Sequence, residues 1–174
     1  MEIYTFKKPI LKKSTKNIDI IDSEDQIIGS IQRYFRNKFE YIVDQIFDEL
    51  SIHVRVFDKN GDLKVNAQEG PFIKNFLKSK WDVNDKEYGE FQLVDHTKIK
   101  TNARLAYTIH NHHYKVEKDI YNKVTRIKDS SGKTICEITY DKPIPPKTIT
   151  IKILSPVTDI YTIACIYYLF SLRD

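Results

Sequence analysis

Histidine is the residue type that comes closest to forming a chemical site in this 174-residue sequence. His110, His112 and His113 lie within four positions. On a strand, His110 and His112 would share one face, within reach of His96 or His53. A metal centre also needs further ligands and groups that orient them, and the spacing specifies neither. We therefore expect surface histidines with no metal or cofactor, and a metal site is the alternative.

Nucleophilic catalysis has little support in the sequence. Gly-x-Ser-x-Gly, a glycine-rich phosphate loop and Cys-x-x-Cys are all missing. Cys136 lies in a predicted strand and Cys165 in an apolar run, where burial would raise a thiol pKa and block access. Two such cysteines are typical of a reducing compartment, and the first residues lack the apolar core of a signal peptide. We expect a cytoplasmic protein that is not an enzyme.

Basic residues are the strongest candidates for a binding function. The first 38 positions form the densest basic region, and Lys16 belongs to it. The seven candidate binding residues in this region are Lys7, Lys8, Lys12, Lys13, Arg33, Arg36 and Lys38. If they converge, they would dock on anionic lipid headgroups, where each basic residue near the surface contributes about 1 kcal/mol. The alternative is an ordinary solvated surface balanced by nearby Asp and Glu. The net charge of +4 is too mild for a dedicated nucleic-acid binder, so no nucleic acid is expected as a partner.

The element that must organise the fold is a C-terminal apolar run, 160–170, in which only Thr162 is clearly polar. Thr158 and Asp159 precede it and can cap a helix N-terminus. A helix that is apolar on every face must be enclosed, and this run is about half the roughly 20 residues that a membrane span needs. We predict a helix buried in protein, with a buried strand or a membrane helix as alternatives. Its buried residues would be Ile160, Ile163, Ile166, Leu169 and Phe170.

A second, amphipathic helix is predicted over 38–50. Apolar residues recur there with the i, i+3, i+4, i+7 spacing of one helix face, and acidic residues such as Glu40 and Asp44 lie between them. We expect the apolar face to pack against the body of the protein. This face consists of Phe39, Ile42, Val43, Ile46, Phe47 and Leu50.

Two hairpins have registers that can be worked out from their turns. Asn60-Gly61 is the preferred pair for a type I′ turn, in which both residues need positive φ, and Ser131-Gly132 is a similar loop. In each hairpin the apolar residues then share one face, as a half-buried antiparallel pair requires. The first register pairs Val56 with Val65 and Val54 with Ala67. The second pairs Ile127 with Cys136, Thr125 with Ile138 and Arg126 with Glu137.

The rest of the chain predicts about a dozen short strands separated by turn residues, the pattern of an all-β sandwich or barrel. A closed sheet of that size is too wide for its own side chains to fill, and a helix along its axis would fill it. With 41% hydrophobic and 30% charged residues, the chain is expected to form a single globular domain, 1–174. A weaker signal for one helical turn comes from Phe72, Ile73, Phe76 and Leu77.

Several short motifs are spread over nearly the whole chain: 6–9 (FKKP), 28–35 (IGSIQRYF), 57–61 (FDKNG), 80–83 (KWDV), 114–118 (YKVEK), 129–138 (DSSGKTICEI) and the apolar run 160–170. Together they resemble the tubby C-terminal-like superfamily, which includes the phospholipid scramblases and the LURP-one-related proteins. The likeness is strongest to the short tubby-like proteins of Gram-positive bacteria. None of these motifs is catalytic.

This resemblance implies a mainly β fold, a closed antiparallel barrel of about twelve strands around the buried C-terminal helix. Tubby proteins bind phosphoinositides and scramblases act on membranes. The resemblance therefore implies a non-catalytic module that docks on anionic phospholipid headgroups at the inner membrane surface, although the tubby lipid-binding positions have no one-to-one match here. The alternative is a structural or partner-binding protein with no lipid or catalytic role. We expect a monomer, cytoplasmic and, in the first case, peripheral at the membrane.

Overall fold

Twelve antiparallel strands form a closed barrel in the computed structural model, which describes residues 1–46, 52–70, 79–97, 104–118 and 123–173. Each strand pairs with the next one along the chain, and β1 pairs with β12 to close the barrel. The predicted fold class is therefore confirmed. The strands are β1 (Glu2–Lys8), β2 (Ile18–Ile21), β3 (Ile27–Tyr34), β4 (His53–Asp58), β5 (Leu63–Glu69), β6 (Lys80–Asp85), β7 (Gly89–Asp95), β8 (Arg104–Ile109), β9 (His112–Lys118), β10 (Thr125–Asp129), β11 (Thr134–Tyr140) and β12 (Lys147–Ile153).

The C-terminal helix, here called α2 (Ile160–Arg173), is enclosed by this barrel. Its residues from 162 to 172 are all buried, so no face of the helix meets water. This confirms the predicted buried helix over both the strand and the membrane alternatives. The predicted core residues are at most 6% exposed: Ile160, Ile163, Ile166, Leu169 and Phe170.

Polar contacts fix both ends of α2. Asp159 caps the N-terminus, as predicted, because its Oδ1 accepts the backbone N–H of Thr162 at 2.8 Å. The Thr162 hydroxyl, the one clearly polar group in the apolar run, donates to Asp85 Oδ2 at 2.5 Å. At the other end, the Lys8 ammonium donates to the Ser171 carbonyl, where a cation complements the helix dipole.

The two predicted hairpin registers are confirmed. Val56 pairs with Val65 and Val54 with Ala67 in the β4–β5 hairpin. In the β10–β11 hairpin, Ile127 pairs with Cys136, Thr125 with Ile138 and Arg126 with Glu137. On the outer face, Arg126 Nε lies 3.2 Å from Glu137 Oε1, which is the expected cross-strand charge pair.

The predicted type I′ turn at Asn60-Gly61 is wrong. Gly61 has a φ of +85°, but Asn60 does not have positive φ, and a type I′ turn needs both. Instead the Gly61 N–H donates to the Asp58 carbonyl at 3.0 Å, and Asp58 Oδ1 accepts the Asn60 and Asp62 N–H groups. The aspartate thus holds a turn that ends in a left-handed glycine, and the register shifts by one residue after Val56. The turn that begins at Asp129 has the same design.

The connections alternate between two ends of the barrel because all strands are antiparallel. One end carries three connections: the loop 9–17, the segment with the helix α1 (Lys38–Ile46), and the loop 141–146. The C-terminus of α2 lies at the same end, which we call the α1 end. Strands β12, β1, β2, β3 and β4 are consecutive neighbours, so these three connections lie side by side. The hairpin end carries the turns 22–26, 59–62, 86–88, 110–111 and 130–133. The predicted helical turn at 72–77 and the last part of the predicted helix at 47–50 lie outside the described residues.

Candidate functional site

The helix α1 faces the opposite way from the prediction. Three side chains of the predicted apolar face are exposed, Phe39 at 74%, Ile42 at 55% and Ile46 at 69%, and Val43 is half-buried, whereas Glu40 and Asp44 are buried at 8% and 0%. The expectation that the apolar face packs against the protein is therefore wrong for this described part of the helix. The physical reason is that the acidic face pairs with the buried Arg33, with Arg36 and with the buried His53.

Asp44 is held by basic groups from two other segments. Arg33, which is 1% exposed on β3, places its Nη2 at 2.9 Å from Asp44 Oδ1. The same guanidinium donates from Nη1 to the Lys12 carbonyl at 2.9 Å, and the Lys13 ammonium donates to the Asp44 carbonyl at 2.5 Å. These contacts join α1, β3 and the loop 9–17 into one rigid corner of the α1 end.

Glu40 forms the second anchor of α1. Its carboxylate accepts the Arg36 N–H at 2.8 Å and lies 2.5 Å from the Arg36 guanidinium. Its Oε2 also lies 3.2 Å from Nε2 of His53, off the line of a good hydrogen bond. On the other side of the ring, His53 Nδ1 accepts the backbone N–H of Glu69 at 3.0 Å. Nδ1 of His53 therefore carries no proton, the imidazole ring is neutral, and it bridges α1 to β5.

The pKa values of these groups follow from their surroundings. Burial lowers the pKa of His53 below its ordinary value, and the nearby Arg36 adds to this while Glu40 opposes it. For Glu40, burial alone would raise the pKa, but hydrogen bonds from Arg36 outweigh it and hold the pKa below its usual range. The folded protein near neutral pH therefore holds a neutral His53 beside an ionised Glu40.

We expect His53 to make the protein less stable as pH falls through about 6.5, the ordinary histidine value. Below that pH the unfolded chain binds a proton that folded His53 resists, so the free energy of unfolding falls by at most about 1.4 kcal/mol per pH unit. The Glu40 contribution is lost only at lower pH, because its folded pKa lies below 4.5. Urea titrations between pH 7.5 and 5.5 will measure this slope. His53→Gln should flatten this slope, and an unchanged slope in His53→Gln would refute the assignment.

Apolar side chains of the two neighbouring loops are exposed beside α1. Ile10 and Leu11 project from the loop 9–17, which the Arg33 and Lys13 contacts tie to α1. Ile144 projects from the loop 141–146, next to the β1–β12 pair in which Lys8 faces Lys147. The α1 end thus displays large apolar groups on three adjacent connections. We call this set the apolar rim: Ile10, Leu11, Phe39, Ile42, Ile46 and Ile144.

The seven basic residues predicted for lipid binding separate into interior and surface groups. Lys8 and Arg33 are buried and bind Ser171 and Asp44 as described above. Lys13 is half-buried in the loop 9–17 and contacts α1, and Arg36 pairs with Glu40 while its side chain remains exposed. The exposed members are Lys7, Lys12, Arg36 and Lys38, and all four lie at the α1 end.

Sequence reasoning missed part of this surface. Lys142 is also exposed on its loops and was not predicted, and the exposed Lys16 was part of the predicted basic region but not one of the seven candidate binding residues. Ile10 and Ile144 carried a usable signal, since each follows a proline in a lysine-containing stretch that cannot continue a strand. The apolar periodicity of α1 was visible in the sequence, but the sequence did not show that the apolar face points away from the barrel.

The histidines are spread over both ends of the barrel. His110 and Asn111, with φ of +47° and +66°, form a two-residue turn of the type I′ class at the hairpin end, so His110 does not lie on a strand beside His112. His53 begins β4 at the α1 end. Within the described residues no three His, Cys, Asp or Glu side chains come together as a metal site.

The cysteines are inaccessible to substrates. Both are free thiols buried in the barrel, where burial raises the pKa of Cys136 to about 12 and that of Cys165 still further. The prediction that the surroundings of Cys165 raise its pKa and deny access is confirmed. In the part of the chain that the structure describes, no helix has both the length and the apolar character to cross a bilayer.

Comparisons with known proteins agree with this architecture. The family model of the Tubby C-terminal like domain matches residues 4–173. A solved X-ray structure of a protein from Arabidopsis thaliana is similar over 98% of this chain and 90% of that one, with a TM-score of 0.53 at 11% identity, which shows a shared fold. No curated protein sequence matches the chain. Because the family match spans nearly all of the sequence, the chain belongs to the tubby C-terminal-like domain family.

Proposed function

We propose that this protein is a non-catalytic module that docks on anionic phospholipid headgroups through the α1 end of its barrel, as a peripheral protein of the cytoplasmic membrane face. The observation that carries the proposal is that exposed basic residues converge there on adjacent segments. These are Lys7, Lys12, Lys16, Arg36, Lys38 and Lys142. Membership of the tubby-like family supports a lipid ligand, and the burial of both thiols argues against cysteine nucleophiles.

Charge balance on this surface favours an anionic partner. In the described segments 9–17, 35–46 and 141–146, the acidic residues are Glu40, Asp44 and Asp141. Glu40 and Asp44 are buried against basic partners. The exposed Asp141 accepts the backbone N–H groups of Lys142 and Thr148, both at 2.8 Å. Exposed positive charge therefore exceeds exposed negative charge on these segments, and a negatively charged bilayer would attract it.

Charge reversal on the proposed surface is expected to abolish vesicle binding. The variant Lys7→Glu/Lys16→Glu/Lys38→Glu should lose affinity for phosphatidylserine-containing vesicles by about a hundredfold or more, since each basic residue contributes about 1 kcal/mol. Co-sedimentation at low salt and at about 0.15 M salt measures this, because charges beyond about 10 Å are screened at 0.1 M. Neutral phosphatidylcholine vesicles should bind weakly.

A matched control is available at the hairpin end. Lys59, Lys86 and Lys133 are exposed there, so reversing all three changes the net charge equally without touching the α1 end. This control should bind vesicles nearly as well as wild type. Equal losses in both variants would mean that only overall charge matters, and wild-type protein that ignores anionic vesicles at low salt would remove the lipid proposal.

A second candidate function is protein-partner binding, and the apolar rim is the observation that favours it. Large exposed apolar patches mark interaction sites of several kinds. A partner binder should keep its complex at high salt and should not depend on the lysines that surround the rim. Vesicle binding that requires those lysines would favour the lipid function instead.

A further inference from the structure

The exposed large apolar side chains are concentrated at one end of the barrel. Among the described residues, the apolar rim and Tyr41 lie at the α1 end, and Met1, Ile27, Leu154 and Val157 are the exposed large hydrophobic residues of the hairpin end. Tyr41 packs edge-on against Phe35, with ring centroids 5.4 Å apart. The three α1 members of the rim, Phe39, Ile42 and Ile46, share one helix face by their spacing of three and four residues.

The outward direction of this face is fixed by the interior contacts of the helix. Turning the apolar face inward would pull Asp44 from the buried Arg33 guanidinium and Glu40 from Arg36 and His53. The first separation would leave the Arg33 guanidinium buried without its carboxylate counter-ion, which is strongly unfavourable. The apolar face is therefore presented to the outside as a stable feature of the fold.

The chemistry around the rim identifies its occupant. Lys12 and Lys16 follow Ile10 and Leu11 in one loop, Lys38 precedes Phe39, and Lys142 precedes Ile144 by two positions. Apolar side chains surrounded by exposed lysines are the composition of helices that lie in a bilayer interface, where the apolar side enters the acyl boundary and the cations contact headgroups. A complementary protein would need an apolar surface ringed by acids.

We propose that α1 lies in the plane of an anionic bilayer surface with Phe39, Ile42 and Ile46 inserted below the headgroups, and with Ile10, Leu11 and Ile144 entering beside it. This inference rests on the proposed lipid-docking function and adds a hydrophobic component to it. Electrostatic attraction brings the α1 end to the membrane, and insertion holds it there. Binding should therefore persist in part at salt concentrations that screen the lysines.

A tryptophan placed on the helix tests insertion directly. The native Trp81 is the only tryptophan in the sequence and is fully buried, so vesicles should leave its emission unchanged and it provides a constant background. Phe39→Trp should show a blue-shifted emission with phosphatidylserine-containing vesicles and should be quenched by brominated acyl chains. Wild-type protein should show neither change. If the emission of the introduced tryptophan is unaffected by vesicles that demonstrably bind the protein, insertion is overturned and the electrostatic docking stays intact.

Polar substitution gives the second measurement. Phe39→Ser/Ile42→Ser should weaken vesicle partitioning by about a hundredfold and remove the salt-resistant part, because two large apolar side chains no longer leave water. The matched control Ile27→Ser/Val157→Ser alters two exposed apolar residues at the hairpin end and should bind as wild type. Equal binding by both double variants would overturn the proposal.

The competing occupants have distinct outcomes. If a second copy of the chain covers the rim, sedimentation velocity should show a wild-type dimer that Phe39→Ser/Ile42→Ser converts to a monomer, and this would overturn insertion. Wild-type protein that fails to bind anionic vesicles at low salt would overturn both the docking function and the insertion built on it. A monomer that binds vesicles, resists salt and loses resistance in the double variant supports both.

Discussion

Replacing Ile163 by Asp is expected to abolish cooperative folding. Ile163 is 1% exposed in the first turn of α2 and belongs to the hydrophobic core of the barrel. An unpaired carboxylate there costs several kcal/mol, on top of the roughly 1.5–3 kcal/mol lost with the buried isoleucine. A domain of this kind has a total stability of about 5–15 kcal/mol, so one substitution removes much or all of it.

Deleting the chain from Thr158 onward should have the same result for a related reason. The truncation removes every apolar residue of α2 and leaves the inward side chains of twelve strands around an empty space that they cannot fill. Circular dichroism and thermal melts of both variants measure the effect. Val157→Asp is a suitable control, because Val157 is exposed just before the helix and should tolerate the charge. A sharp, native-like transition in the truncated protein would disprove the structural role of α2.

The features that the sequence predicted well are those in which neighbouring residues determine the structure. A helix apolar on all sides must be enclosed, and this run is about half the length of a membrane span, so composition and length favoured a helix buried in protein over the strand and membrane alternatives. The registers of β4–β5 and β10–β11 followed from the position of each turn glycine and from the alternation of apolar residues on both sides. The turn type was wrong because the Asp58 side chain, not a second left-handed residue, holds the loop.

The direction of α1 depended on residues far away in the sequence. An amphipathic pattern shows that a helix has two faces, and the usual assumption is that the apolar one is buried. Here Arg33 on β3 and His53 on β4 supply buried groups for Asp44 and Glu40, and no local pattern announces that these residues face one another. The burial of Lys8 and Arg33 also depends on residues that are distant in sequence, because Lys8 binds the Ser171 carbonyl of α2 and Arg33 binds Asp44 of α1. The seven basic residues could thus be found from sequence, but their division between interior and surface could not.

The Arg33–Asp44 pair gives the second large expected effect. Both side chains are at most 1% exposed, and their charged atoms lie 2.9 Å apart. Asp44→Ala should lower the free energy of unfolding by about 3–5 kcal/mol, because it leaves the Arg33 guanidinium buried beside the Lys12 carbonyl without its counter-ion. Urea denaturation monitored by circular dichroism at neutral pH measures the loss. Asp19→Ala, at an exposed aspartate on β2, should cost less than about 0.5 kcal/mol.

The double variant Arg33→Met/Asp44→Leu separates the contribution of charge pairing to the free energy of unfolding from the contribution of side-chain packing. Replacing both members of a buried ion pair by apolar residues of similar size is often neutral or stabilising, so this variant should recover most of the stability that Asp44→Ala loses. Its α1 would still cover the same part of the barrel but would lack the pair that fixes its direction. If the double variant is as unstable as Asp44→Ala, packing and not charge compensation holds this corner. If Asp44→Ala is itself as stable as wild type, the pair does not hold α1, and the fixed outward face of the helix loses its physical basis.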